Sequence, residues 1–300
     1  MHLRLLLLAG VLLVVAGCGS SSKTPQATPG TLEALTQGHD RTVALTPGDA
    51  DFAPGDVRYS FLVIANDGRV VLKPRASVWL ARGLKEKPFQ RATATLQPIG
   101  IPGVSAVPHN VPSIYVVRLR VPAAGTYWVL AKPQGSSIDG LGNLVVRERT
   151  VSPAVEAPAP RSKTPTLTTT GGRLAPLTTS TRPDRALYTT SVAQALTAHE
   201  PFVVTFATPK FCTSRTCGPV VDVVSHVRMQ LTGTPVKFIH VEVFKNNNPA
   251  NGYNRWMKEW KLQSEPWVFL VGGDGTIKAK FEGSVSAAEL RAAIRSKLHS

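Results

Sequence analysis

Hydrophobic and polar positions divide this chain into stretches with different rhythms. Leu5 to Ala16 is a short apolar run, followed by polar Ser and Lys. From Thr42 to Thr150 short apolar or β-branched runs recur: Val57–Ala65, Arg69–Leu72, Ala76–Ala81, Arg91–Leu96, Ile114–Val121, Thr126–Ala131 and Leu144–Arg147. Turn formers separate them, such as Asn66-Asp67-Gly68 and Pro122-Ala123-Ala124-Gly125. Val151 to Asp184 is rich in Pro, Thr, Ala and Ser and shows neither period. From Ala186 onward helical and strand patterns alternate.

Each rhythm carries a structural expectation. Short strands with regular turn signals and no helical period predict an all-β domain, an immunoglobulin-like sandwich, over residues 42–150. Residues 151–185 read as a semi-extended linker. Within 186–300, Ser191-Val192-Ala193-Gln194 forms a capping box that opens a short helix. Phe202–Phe206 is apolar enough for a strand buried on both faces. Val220–Met229 reads as a helix, Val236–Phe244 as a strand and Asn254–Trp260 as a short helix. Trp267–Val271 and Thr276–Phe281 then form a hairpin around Gly272-Gly273-Asp274-Gly275. Ser286-Ala287-Ala288-Glu289 opens a last helix, with Leu290, Ile294 and Leu298 on one stripe.

Composition changes the picture in two ways. The 24 prolines cluster, which favours two domains joined by linkers over one large core. The net charge of +15 suits anionic surfaces such as lipid headgroups. The Lys and Arg residues are scattered singly, without the basic runs of nucleic-acid tails, so no nucleic-acid partner is expected.

The three cysteines are Cys18, Cys212 and Cys217. His2 and Arg4, the apolar run and the small residues Ala16-Gly17 make a secretory signal over residues 1–17. Val14-Val15-Ala16-Gly17-Cys18 also resembles a bacterial lipobox. That resemblance implies lipidation at Cys18, attachment to the membrane and an extracytoplasmic location. Residues 18–41 would be a flexible tether. Outside the cytoplasmic membrane a cysteine pair can be oxidised, so Cys212 and Cys217 are candidates for a disulfide.

Thr208-Pro209-Lys210-Phe211-Cys212-Thr213-Ser214-Arg215-Thr216-Cys217-Gly218-Pro219 follows the apolar strand, and Glu265-Pro266 precedes Trp267–Val271. In this order of elements, residues 186–300 resemble the thioredoxin-like superfamily, an α/β fold. The resemblance implies a cis Pro266 facing the cysteine pair, with Glu265 offering backbone groups to a bound peptide. It also implies thiol–disulfide exchange on exported thiol or disulfide proteins, with Cys212 and Cys217 as catalytic residues and no cofactor. The departures are a Cys-x4-Cys spacing in place of Cys-x-x-Cys, Thr205 where many relatives carry a buried Asp, and Phe211 in place of Trp. The wider spacing leaves two registers, with either cysteine as the attacking one. Lys210 and Arg215 favour a thiolate in both.

A non-catalytic binding module with a structural disulfide is the alternative reading. A narrower one is copper delivery, because a copper chaperone of the cytochrome oxidase assembly family has a similar cysteine loop and a distal His. His226 and His240 are the histidines nearest in sequence to that arrangement, but no His occurs between Val241 and Leu298. No metal site is expected. His109 reads as a surface residue, and Trp256, Trp260 and Trp267 read as core.

Overall fold

The structure, a computed structural model, describes residues 27–37, 41–106 and 111–298. Cys18, the signal segment and His109 lie outside the described residues.

Seven strands form the first unit: β1 (Arg41–Pro47), β2 (Gly55–Val63), β3 (Arg75–Ala81), β4 (Gln90–Pro98), β5 (Ser113–Val121), β6 (Gly125–Pro133) and β7 (Ile138–Val146). They close into a barrel in the order β1-β2-β5-β4-β3-β6-β7. The immunoglobulin-like sandwich expected from the sequence is therefore incorrect. What overturns it is the parallel pairing of β1 with β7, from Arg41↔Ile138 to Ala44↔Leu141, which joins the two ends of the sheet. Closure requires close approach, and β7 supplies it with glycine. A Cβ on Gly140 would come within 2.9 Å of Val63 Cγ2, and one on Gly142 within 3.0 Å of Leu45 Cβ. The expected return strand Arg69–Leu72 is no strand of the barrel; it makes only an isolated bridge, Ile64↔Val70. β1 fills the seventh place, with Val43 and Leu45 buried inward.

Alternation along the strands fills the interior. Tyr59, Phe61 and Val63 of β2, Val78 and Leu80 of β3, and Tyr115, Val117 and Leu119 of β5 all face one core. Phe52, Tyr59, Phe61 and Tyr115 form a chain of ring contacts 5.3–5.9 Å apart between centroids. The barrel is packed solid along this line. A short helix, α1 (Leu32–Thr36), covers its flank through Leu32, Ala81 and Leu130.

The second unit is a small sheet in the order β11-β10-β8-β9, made of β8 (Phe202–Phe206), β9 (Lys237–Val241), β10 (Trp267–Val271) and β11 (Ile277–Glu282). β8 and β9 are parallel, and the other neighbours are antiparallel. The helices are α2 (Val192–Thr197), α3 (Cys217–Gln230), α4 (Arg255–Glu259) and α5 (Ala287–Lys297). The α/β thioredoxin-like fold expected for residues 186–300 is likewise incorrect. The described residues form a closed seven-stranded barrel and a four-stranded sheet, with five short helices among them. Helical cover is thin because α2 and α4 span only 6 and 5 residues. Irregular chain from 151–190 does much of the covering instead: Ala159 packs on one face of the sheet, and Leu177, Leu187 and Tyr188 pack on the other. Ala159 N–H also donates to Gly275 O at 2.9 Å, beside the Pro158↔Thr276 bridge, which shields the β11 edge.

Local signals account for the rest. Ser191 and Gln194 cap α2 reciprocally, an arrangement of about 1 kcal/mol. β8 alternates its contacts across the sheet: Val203 joins the α3/α5 face, while Phe202, Val204 and Phe206 join the other.

The two units are joined by charge and backbone contacts. Arg58, 8% exposed, binds Glu289 through Nε (2.8 Å) and Nη2 (3.0 Å), donates to Ser284 O at 2.7 Å, and lies 3.3 Å from Asp49. Glu282 accepts from the N–H groups of Ala50 and Asp51, both at 2.8 Å. Gly283 (φ +69°) faces the carbonyl of Gly48 so closely that a Cβ has no room.

Candidate functional site

The cysteine loop grows from the end of β8. Ala207 N–H donates to Val241 O at 3.1 Å, and Ala207 O receives His240 Nε2 at 3.0 Å, which fixes the point where the chain leaves the sheet. The loop then turns back on itself, with Arg215 N–H donating to Cys212 O at 3.2 Å and Arg215 in the left-handed region at φ 59°. This turn brings Cys212 and Cys217 into a disulfide with a Cα–Cα distance of 5.9 Å, within ordinary bridging reach.

The two sulfurs sit in different surroundings. Cys217 is the first residue of α3 and is fully buried. Cys212 is partly exposed and packs at the margin of the same apolar cluster. The start of α3 lacks a side-chain cap from Thr216. Instead, Cys217 N–H donates to Cys212 Sγ at 3.3 Å. Pro219 in the first turn has no N–H, and Val220 N–H is satisfied by Thr216 O at 2.9 Å. Ser214 Oγ lies 3.2 Å from Cys212 Sγ and 2.8 Å from Thr216 Oγ1. The accessible sulfur thus stands where a helix offers its unpaired N–H and its positive dipole end. No acidic residue occupies the first turn of α3.

Beneath the loop lies a polar cluster. His240 is buried, with Nδ1 2.7 Å from Tyr188 Oη and Nε2 on Ala207 O. Burial pushes its imidazole pKa down, against the opposing charge of Glu242. Burial likewise raises the Tyr188 phenol well above its ordinary value. Glu242, 5% exposed, accepts from Thr179 N–H at 2.5 Å and Thr179 Oγ1 at 2.6 Å. Thr179 Oγ1 in turn accepts from Lys210 N–H at 3.1 Å. A buried carboxylate therefore anchors the entry to the cysteine loop through one threonine.

Glu265 and Pro266 join this end of the sheet. Their peptide bond is cis, and the register Trp267↔Phe206 sets them beside the exit of β8. The Glu265 carboxylate accepts from Tyr253 Oη at 2.5 Å; burial first, then this bond, raises the phenol pKa. Pro266 O accepts from Gly283 N–H at 2.9 Å. The side chain of Glu265 is thus engaged, and Pro266 is buried.

His226 lies on α3 with Nε2 2.8 Å from Gln230. Both nitrogens of His240 are occupied within the protein. Among the described residues no group of three or more His, Cys, Asp or Glu side chains converges to hold a metal ion. Trp260 and Trp267 are buried in the sheet core, and Trp256 is partly exposed. A cleft of about 1330 Å³ lies between barrel and sheet. Among its charged lining residues, Asp51, Arg58, Lys280, Glu282 and Glu289 are engaged across the join.

Sequence reasoning found the cysteine pair but missed Tyr188, Thr179 and Glu242. Thr179 sits in a stretch without period, and Glu242 follows a strand as one acidic residue among apolar ones, so no local signal marks either. No family model matches the chain, and no curated protein matches it; the thioredoxin-like resemblance is withdrawn on this finding together with the observed fold.

Proposed function

We propose that this protein performs thiol–disulfide exchange on exported polypeptides, through Cys212 as the attacking sulfur and Cys217 as the resolving one. The observation that carries the reading is the asymmetry of the pair: a partly exposed Cys212 Sγ receives the first N–H of α3, while Cys217 is buried behind it. A helix N-terminus favours a thiolate over a thiol, and Lys210 and Arg215 add positive charge nearby. In the reduced protein the Cys212 thiolate attacks one sulfur of a partner disulfide, forming a mixed disulfide and releasing the partner's other sulfur as a thiolate, which takes a proton. The Cys217 thiolate then attacks Cys212 Sγ and releases the second partner sulfur. The protein dithiol has been oxidised and the partner disulfide reduced, and the same steps reversed oxidise a partner dithiol.

The site of action in this proposal is the outer face of the cytoplasmic membrane, reached through the signal segment and a lipid on Cys18. Support for this part is the sequence Val14-Val15-Ala16-Gly17-Cys18. Replacing Cys18 by Ala should release the protein from the membrane fraction.

Single-cysteine variants test the chemistry. Cys217→Ala should accumulate reductant-sensitive adducts through Cys212, and Cys212→Ala should accumulate none. If neither variant forms an adduct, the disulfide is a structural staple and the sheet unit a binding module.

A further inference from the structure

The surroundings of the cysteine pair are not made by the sheet unit alone. The barrel segment that follows β4 reaches the start of α3. Gly100 adopts φ +72°, and a Cβ there would come within 2.9 Å of Pro219 Cβ and 2.6 Å of the Ser105 side chain. The barrel backbone therefore lies directly on the first helical turn, two residues beyond Cys217. Ile101 packs against the same apolar cluster that holds Cys212 and Cys217. The segment holds its own shape: Ile101 N–H donates to Ser105 Oγ at 2.9 Å, and Val104 and Ser105 N–H both donate to Ile101 O, at 3.0 and 2.9 Å.

A second connection runs through residues 179–182. Arg182 donates to Val104 O at 3.0 Å, and three positions earlier Thr179 holds the Lys210 N–H at the base of the cysteine loop. Barrel segment, 179–182 and cysteine loop thus form one continuous rim. Val104 on this rim is 53% exposed, an apolar side chain open to solvent beside the cysteine loop's cations. Arg182, Lys210 and Arg215 are exposed, and none has an ion-pair partner among the described residues. No acidic residue occurs in 99–106 or in 207–217.

We infer that the barrel segment 99–106 is the specificity wall of the exchange site. Val104 receives an apolar side chain, and Arg182, Lys210 and Arg215 receive an acidic one, from the stretch of an exported polypeptide that flanks its reactive cysteine. The inference rests on the exchange reading, and it gives the barrel a part in substrate choice. Electrostatic complementarity of this kind sets partner choice and encounter rate.

The test uses the full chain, reduced and solubilised in detergent, with three disulfide probes. One is hydroxyethyl disulfide, small and uncharged. The others are disulfide-linked peptides of sequence Gly-Leu-Cys-Glu-Gly and Gly-Leu-Cys-Lys-Gly. The Glu peptide should react faster than the Lys peptide, and the difference should shrink in high salt. Val104→Ser should slow the Glu peptide about tenfold while leaving hydroxyethyl disulfide unchanged, as expected for one lost apolar contact. Equal effects of Val104→Ser on all probes, no effect on any, or equal rates for the two peptides would each overturn the inference while exchange itself stands. A wild-type protein that reduces none of the probes overturns the exchange reading, and the inference with it.

Discussion

Arg58 is the residue whose loss should most disturb the join between barrel and sheet. It is 8% exposed, meets Glu289 with two hydrogen bonds, holds Ser284 O and stands 3.3 Å from Asp49. Arg58→Ala removes one partner from a buried network and leaves two carboxylates behind. Breaking such a pair costs about 3–5 kcal/mol. The cost should depend on pH, because burial outweighs Arg58 and the Ser60 N–H and lifts Asp49 to a pKa of about 7. At pH 6 the orphaned Asp49 takes a proton readily. At pH 8 each further pH unit adds about 1.4 kcal/mol to keeping it neutral. The loss should therefore be larger at pH 8 than at pH 6. Urea unfolding followed by tryptophan fluorescence measures it, since Trp79 and Trp128 report the barrel and Trp256, Trp260 and Trp267 the sheet unit. We expect Arg58→Ala to separate the two transitions and to lower the melting temperature by about 10 °C. A loss below about 1 kcal/mol, or one equal at both pH values, refutes this account of the interface.

Two further predictions concern buried polar groups. The folded-state pKa of Asp49 lies above its unfolded value of 3.8, so the folded protein holds this proton more tightly and stability falls as pH rises from 3.8 toward about 7. Asp49→Asn should flatten that part of the pH–stability curve, by on the order of 4 kcal/mol over the window, as measured by urea unfolding at each pH. Tyr188→Phe should cost about 1–3 kcal/mol, because it leaves His240 Nδ1 buried without its partner at 2.7 Å; calorimetry and the His240 ring signals in NMR read the effect.

Much of the local structure was legible. Phe202–Phe206 and Trp267–Val271 end where the apolar runs end, and Ser191 and Gln194 pair as their spacing predicts. Barrel closure was not legible, because period-two alternation describes the wall of a sandwich and of a barrel equally well. What separates them is the β1–β7 pairing, which joins residues almost a hundred positions apart and depends on Gly140 and Gly142. The family resemblance failed for a related reason: strand and helix order over 186–300 says nothing of how much of the cover would be irregular chain from 151–190. The cysteine pair was legible as chemistry. Its asymmetry was not, since it arises from a left-handed turn at Arg215 that aims Cys212 Sγ at the N–H of Cys217. The barrel's contact with Pro219 had no sequence signal, being a close approach between Gly100 and a helix more than a hundred residues away.

The exchange reading stands or falls on whether the Cys212–Cys217 bond is poised to open, so the most direct measurement is its reduction potential, taken by equilibrating the full chain against glutathione mixtures and trapping the thiols. An accessible Cys212 opposite a helix N–H predicts a potential above roughly −250 mV, in the range of exchangeable pairs. A potential below roughly −300 mV, with no mixed disulfide formed on the way, would mark a structural bond and contradict the account.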